Sequence, residues 1–104
     1  MPKVSVTIIT RNEAHRLADC LASVAWADER IVVDSGSTDD TVAIARANAD
    51  RVEVRAWEGY SSQKNYAASI ASYDWGLSVD ADERVGVALG DEIRELLKTG
   101  PAAA

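Results

Sequence analysis

Lys3-Val4-Ser5-Val6-Thr7-Ile8-Ile9-Thr10-Arg11-Asn12-Glu13 is the stretch that decides the fold. An apolar run suited to a strand stops at Thr10, and polar residues able to open a helix follow at once. From Asn12, which can cap the amino end, Leu17, Leu21 and Val24 recur at helical spacing, so a helix is expected from Asn12 to Val24.

The same strand-then-helix unit recurs. Further apolar runs span Arg30 to Asp34, Arg51 to Arg55 and Trp75 to Asp80, and the four starts are 27, 21 and 24 residues apart. Each interval holds one crossover helix, the pattern of repeated βαβ units and a parallel sheet covered on both faces. The second helix is expected near Ser37, with Asp40 three places on in a capping-box-like arrangement, and the third from Ser61 to Ala71. A further helix is expected over Asp91 to Lys98, ended by Gly100-Pro101. The expectation is one α/β domain, residues 1–104, a Rossmann-like three-layer sandwich with strand order 3-2-1-4. That order brings the ends of strands one, two and four to one crevice.

Bulk properties narrow the function. A formal net charge of -6, with 11 Lys and Arg, argues against nucleic acid as a partner, because phosphate neutralisation needs a clustered basic surface. An anionic small ligand would require a metal ion or local donors. Cys20 has no disulfide partner and falls within an apolar helical pattern, which reads as packing and fits a reducing compartment. No apolar run approaches the ~18 to 20 residues that span a bilayer, and Met1 to Thr10 lacks the features of a signal peptide, so the expected location is cytoplasmic.

Chemistry concentrates where strands end. Leu77-Ser78-Val79-Asp80-Ala81-Asp82-Glu83 runs an apolar strand into three carboxylates within four positions. Clustered carboxylates are costly unless a cation screens them, and two are enough for Mg²⁺ or Mn²⁺ when substrate phosphates complete the shell. With ten Asp in the chain an Asp-x-Asp arises readily by chance, and its position at a strand end is what raises its value. Thr10-Arg11-Asn12-Glu13 offers groups that hydrogen-bond a ribose or base, although Asn12 and Glu13 also suit a helix start. In Val33-Asp34-Ser35-Gly36-Ser37-Thr38-Asp39-Asp40-Thr41, Asp34 is placed to accept a bond from a base imide, while Asp39 and Asp40 suit the helix terminus. Within Gln63-Lys64-Asn65, Lys64 can meet a phosphate or base carbonyl, or simply be solvated. His15 lacks a second imidazole or thiolate and reads as a surface residue.

Taken in order, Val4 to Glu13, Val32 to Thr41, Gln63 to Asn65 and Val79 to Glu83 resemble family 2 glycosyltransferases of the GT-A type, across essentially the whole chain. Within that family the sequence looks most like bacterial enzymes that extend lipopolysaccharide core or related cell-envelope glycans. The resemblance implies that Thr10, Asn12 and Glu13 contact the nucleoside, Asp34 the base, Lys64 the nucleotide, Asp80 the ribose or metal shell, and Asp82 the metal. It implies a divalent cofactor, Mg²⁺ or Mn²⁺, and a nucleotide-diphosphate sugar donor, with UDP-sugar favoured. The transfer would invert the anomeric centre and deliver the sugar to a glycan or lipid-linked acceptor. Two positions depart from the family pattern: Arg11 stands where an aromatic residue is common, and Ser35 where a paired Asp is common.

Family members also continue past the Asp-x-Asp with strands that bind the acceptor and supply a carboxylate base, and nothing after Glu83 supplies them here. The chain is therefore expected to be a truncated enzyme, to bind donor weakly, to turn over little, and to dimerise through the surface left bare. The intact enzyme would sit at the inner face of the cytoplasmic membrane. Two alternatives stand beside this reading. A nucleotidyltransferase would more typically carry a Gly-rich loop after strand one, and a noncatalytic nucleotide-binding or interaction module would use an exposed sheet edge.

Overall fold

A computed structural model describes residues 3–73, 75–81, 90, 92, 93 and 95. Its elements run β1 (Val4–Thr10), α1 (Ala14–Ser23), β2 (Glu29–Asp34), α2 (Thr41–Asn48), β3 (Arg51–Val54), α3 (Tyr60–Ile70) and β4 (Trp75–Asp80). The expected helix over Asp91 to Lys98 lies largely outside the described residues, as do Asp82 and Glu83.

The four strands form one parallel sheet in the order β3-β2-β1-β4, as the sequence leads one to expect. β1 is central and buried along almost its whole length, which explains its near-continuous apolar run. One face carries Val6, Ile8, Val32 and Val79, packed against Leu17, Cys20, Leu21 and Val24 from α1 and against Ala45 from α2. Leu17 and Leu21 lie one turn apart on α1, so their side chains stack on the same stripe. The other face places Ile31 and Val33 against Ala67, with Tyr66 and Ile70 of α3 alongside. Helices thus cover both faces, and the chain reverses direction across the sheet at β1, between β2 and β4.

The amino edge of the sheet spends its carboxylates on structure. Asp28 Oδ2 accepts the Val4 N–H at 2.9 Å, and Asp50 Oδ2 accepts the Arg30 N–H at 2.8 Å. Glu29 accepts the Ser5 hydroxyl at 2.8 Å and both the N–H and the hydroxyl of Ser72 at 2.8 Å. Ser5, fully buried, in turn accepts the Tyr73 N–H at 3.2 Å. Partial burial pushes Glu29 up, but the bonds from Ser72 and Ser5 and the nearby Arg51 charge together outweigh it, so its carboxyl ends below the usual range. These groups stitch the strand starts together and face away from the crevice end.

Helix starts depart from the sequence reading. α1 begins at Ala14 with Glu13 at its cap position, and the Glu13 side chain itself makes no capping bond. Asn12 adopts a left-handed φ of 53°, and its side chain is used elsewhere. α2 begins at Thr41, four residues after Ser37, because Ser37 and Asp39 serve the loop before it. α3 starts at Tyr60 behind Gly59, whose φ of 108° suits glycine.

Candidate functional site

Three loops meet at the carboxyl edge, where strand order reverses and open α/β sheets bind ligands. A cleft of about 270 Å³ is lined by Ile9 and Thr10 at the end of β1 and Arg11 and Glu13 after it, by Ser35 after β2, by Trp57 before α3 and Tyr60 at its start, and by Asp80 and Ala81 at the end of β4. The expected convergence of Thr10, Glu13 and Asp80 on one rim is therefore present.

The first two loops are bolted to each other. Asn12 donates its N–H to Ser37 Oγ at 2.8 Å, and its side-chain carbonyl accepts the Thr38 N–H at 2.8 Å. Glu13 donates its N–H to Thr41 Oγ1 at 3.0 Å. Asp39 accepts the hydroxyl and the N–H of Thr41 through Oδ1 and the Ala14 N–H through Oδ2 at 3.4 Å. One carboxylate thus serves the starts of both α1 and α2. The Thr41 hydroxyl, helped by the backbone donors and opposed by slight desolvation, holds Asp39 below the usual carboxylate range.

Asp34 lies differently from the sequence reading. It is fully buried; Oδ2 accepts the N–H groups of Gly36 at 2.8 Å and Ser37 at 2.7 Å, while Oδ1 accepts the Ser37 hydroxyl. Its carboxylate is taken up by its own turn, and Ser35 is the residue of this loop that lines the cleft. Asn12 likewise spends its side chain on Thr38.

Two buried side-chain oxygens of cleft-lining residues are left over. Among the described residues, the buried side-chain atoms without a hydrogen-bond partner are Thr10 Oγ1 and Glu13 Oε2, and Thr10 is only 3% exposed. Burying such groups unpaired is costly, and both belong to cleft-lining residues, so a ligand that satisfied them would recover that cost.

The third loop brings residues that sequence reasoning missed. Trp57 and Tyr60 are 51% and 49% exposed, unusual for large aromatic side chains, and both line the cleft. Two aromatics around a glycine in a short connection after a strand were the available signal. The loop is held by Arg55, which donates to Gln63 Oε1 at 3.0 Å, to Ser62 Oγ at 3.3 Å and to Glu58 at 3.1 Å, and stacks on Tyr66 at 4.7 Å. Gln63, fully buried, returns a bond from Nε2 to the Arg55 carbonyl at 3.1 Å. Gln63 is therefore structural. Lys64 does not line the cleft; its ammonium lies 4.6 Å from the centroid of the Tyr60 ring.

The oxygen-only chemistry of Asp80 suits a hard divalent cation. Among the described residues no three His, Cys, Asp or Glu come together; Asp80 and Glu13 are the described carboxylates that line the cleft, and Asp82 lies outside the described residues. One or two carboxylates fit an ion whose other ligands are phosphate and water.

The family model described as Glycosyl transferase family 2 matches residues 5–102. The chain belongs to this family. This family 2 glycosyltransferase domain is 52% identical over 94 residues to an uncharacterised glycosyltransferase of Rickettsia felis, covering 89% of the chain and 33% of that protein. It is 38% identical over 104 residues to the lipopolysaccharide core biosynthesis glycosyltransferase LpsC of Rhizobium meliloti, covering 93% of the chain and 38% of that relative. The chain thus spans about a third of the length of these relatives. Among solved structures, glucosyl-3-phosphoglycerate synthase of Mycobacterium tuberculosis in complex with Mn²⁺, UDP and glucosyl-3-phosphoglycerate superposes with a TM-score of 0.69. It is 25% identical, and the match covers 80% of this chain and 36% of that one. The parallel 3-2-1-4 sheet is that of the GT-A glycosyltransferases, and family membership sets aside the nucleotidyltransferase reading.

Proposed function

We propose that residues 1–104 form the donor-binding domain of an inverting, metal-dependent glycosyltransferase that takes a nucleotide-diphosphate sugar, with UDP-sugar favoured, to a cell-envelope glycan or lipid-linked acceptor. The observation that carries this reading is the pair of unpartnered buried oxygens, Thr10 Oγ1 and Glu13 Oε2, on residues that line one cleft together with Asp80. A nucleoside supplies donors for such oxygens, and a diphosphate supplies the anionic ligands that a cation beside Asp80 requires. The UDP and Mn²⁺ named with the mycobacterial synthase support the same pairing, and the likeness to LpsC supports the envelope acceptor.

In this reading Thr10 and Glu13 hydrogen-bond the nucleoside, Ser35 and Arg11 lie against the base, and Trp57 offers an aromatic wall. Asn12 and Asp34 act one step back, by fixing the two loops that present those groups. Asp80 and Asp82 hold Mg²⁺ or Mn²⁺, which when bound stabilises the departing diphosphate as a Lewis acid. Lys64 adds a positive charge near the same rim.

The cytoplasm, where nucleotide sugars are made, is the proposed location, with the whole enzyme at the inner membrane face. No helix among the described residues is long and apolar enough to cross a membrane. A homodimer is the proposed assembly, which light scattering would reveal.

Calorimetric titration with UDP, GDP and dTDP, with and without Mn²⁺, tests the donor reading. Metal-dependent uridine preference that is lost in Asp82→Ala is the expected result. Binding indifferent to metal and to that substitution would overturn it.

A further inference from the structure

Tyr60 joins two groups that the donor reading needs but that lie on different elements. Its phenol donates to Asp80 Oδ1 at 3.0 Å, from the first residue of α3 to the last residue of β4. Its ring lies 4.6 Å below the Lys64 ammonium, four residues further along the same helix face. An ionised carboxylate has about four lone-pair sites, so a phenol on one fixes the plane of the group while leaving room for a cation.

The phenol is itself well anchored. One turn into α3, the buried Gln63 grips Arg55 through two bonds, and the Arg55 N–H bonds the Asp34 carbonyl at 2.8 Å, so the start of the helix is tied to the end of β2. Gly59, with its positive φ, turns the chain so that helix and Tyr60 begin together at the cleft.

We propose that Tyr60 is a positioning residue for both the cation and the diphosphate. Its hydroxyl orients the Asp80 carboxylate toward the metal, and its ring holds the Lys64 ammonium beside the phosphates. The two halves of this role separate chemically. Tyr60→Phe removes the hydroxyl and keeps the ring, whereas Tyr60→Leu removes both.

The inference rests on the donor-site reading, and NMR titration of the full chain with UDP, with and without Mg²⁺, separates the two. NMR reads affinities down to the millimolar range. For Tyr60→Phe the metal-free affinity is expected to stay at the wild-type value, while the enhancement by Mg²⁺ falls roughly 3- to 10-fold. Tyr60→Leu is expected to lose metal-free affinity as well, to the same extent as Lys64→Met, with no further loss when the two are combined. A Tyr60→Phe variant with the full wild-type Mg²⁺ enhancement overturns the proposal while leaving the donor site standing. A wild-type chain that binds no UDP overturns both. Should Tyr60→Leu fail to fold, the Tyr60→Phe comparison still decides.

Discussion

The Asn12 side-chain carbonyl accepts the Thr38 N–H at 2.8 Å, across 26 positions of sequence, and so locks the loop after β1 to the loop after β2. Both loops contribute to the cleft, one through Thr10, Arg11 and Glu13 and the other through Ser35. Asn12 achieves this at a φ of 53°, a conformation that Asn tolerates better than other residues with a Cβ.

Asn12→Ala is therefore expected to lose the bond and to suffer backbone strain, destabilising the chain by about 2 to 3 kcal/mol. Asn12→Gly removes the same bond but relieves the strain, and is expected to recover part of the loss. Thermal unfolding of the two variants checks the order. Equal losses would mean that the left-handed backbone contributes nothing.

Thr10→Val separates function from stability. The Thr10 hydroxyl is buried without a partner, so an isosteric methyl is expected to leave stability unchanged or raise it by up to about 1 kcal/mol. UDP affinity is expected to fall roughly 3- to 10-fold, because the ligand loses a bond. Chemical denaturation and a UDP titration on one sample measure both, and a destabilised variant with intact binding would contradict the role given to this hydroxyl.

Glu29 governs acid stability at the opposite edge. Its carboxyl lies below the usual glutamate range in the folded chain, so it binds protons less readily there than when unfolded. Its contribution is then fully present above the ordinary glutamate pKa and is lost as pH falls through the lower, folded value. The excess in melting temperature of wild type over Glu29→Gln should shrink as pH is lowered through that window. An excess that grows on acidification would reverse the sign.

Trp57 should report the ligand. It is half exposed and lines the cleft, whereas Trp26 bonds the Ser23 carbonyl beneath α1 and Trp75 opens β4 at the other end of the sheet. UDP with Mg²⁺ is expected to change the intrinsic fluorescence of wild type, and Trp57→Phe to abolish that change. A retained signal would place the ligand away from Trp57.

The sheet was legible in the sequence because its signal is local. Each strand is an apolar run whose end is marked by polar residues, and β4 spans Trp75 to Asp80 as expected. Strand order followed from where chemistry-bearing residues accumulate, since Thr10 and Asp80 are useful together only if β4 lies beside β1. Direction of side chains was less legible. Asp34 reads as a ligand at a strand end, yet Asp34-Ser35-Gly36-Ser37 is also an Asx-turn sequence, and the turn takes the carboxylate. Asn12 reads as a cap because capping is local, whereas its partner Thr38 comes from another loop. Trp57 and Tyr60 have no periodicity to announce them, and their place beside Asp80 depends on a loop that reaches across the rim from the far edge strand.

Paramagnetic broadening of backbone amides by Mn²⁺ in the presence of UDP tests most directly whether a cation-bridged nucleotide sits at the carboxyl edge. The amides of Thr10, Ser35, Tyr60 and Asp80 should broaden only when both Mn²⁺ and UDP are present, while those of Glu29, Arg51 and Trp75 at the amino edge stay sharp. Broadening centred on the amino edge, or the same pattern with and without UDP, would contradict it.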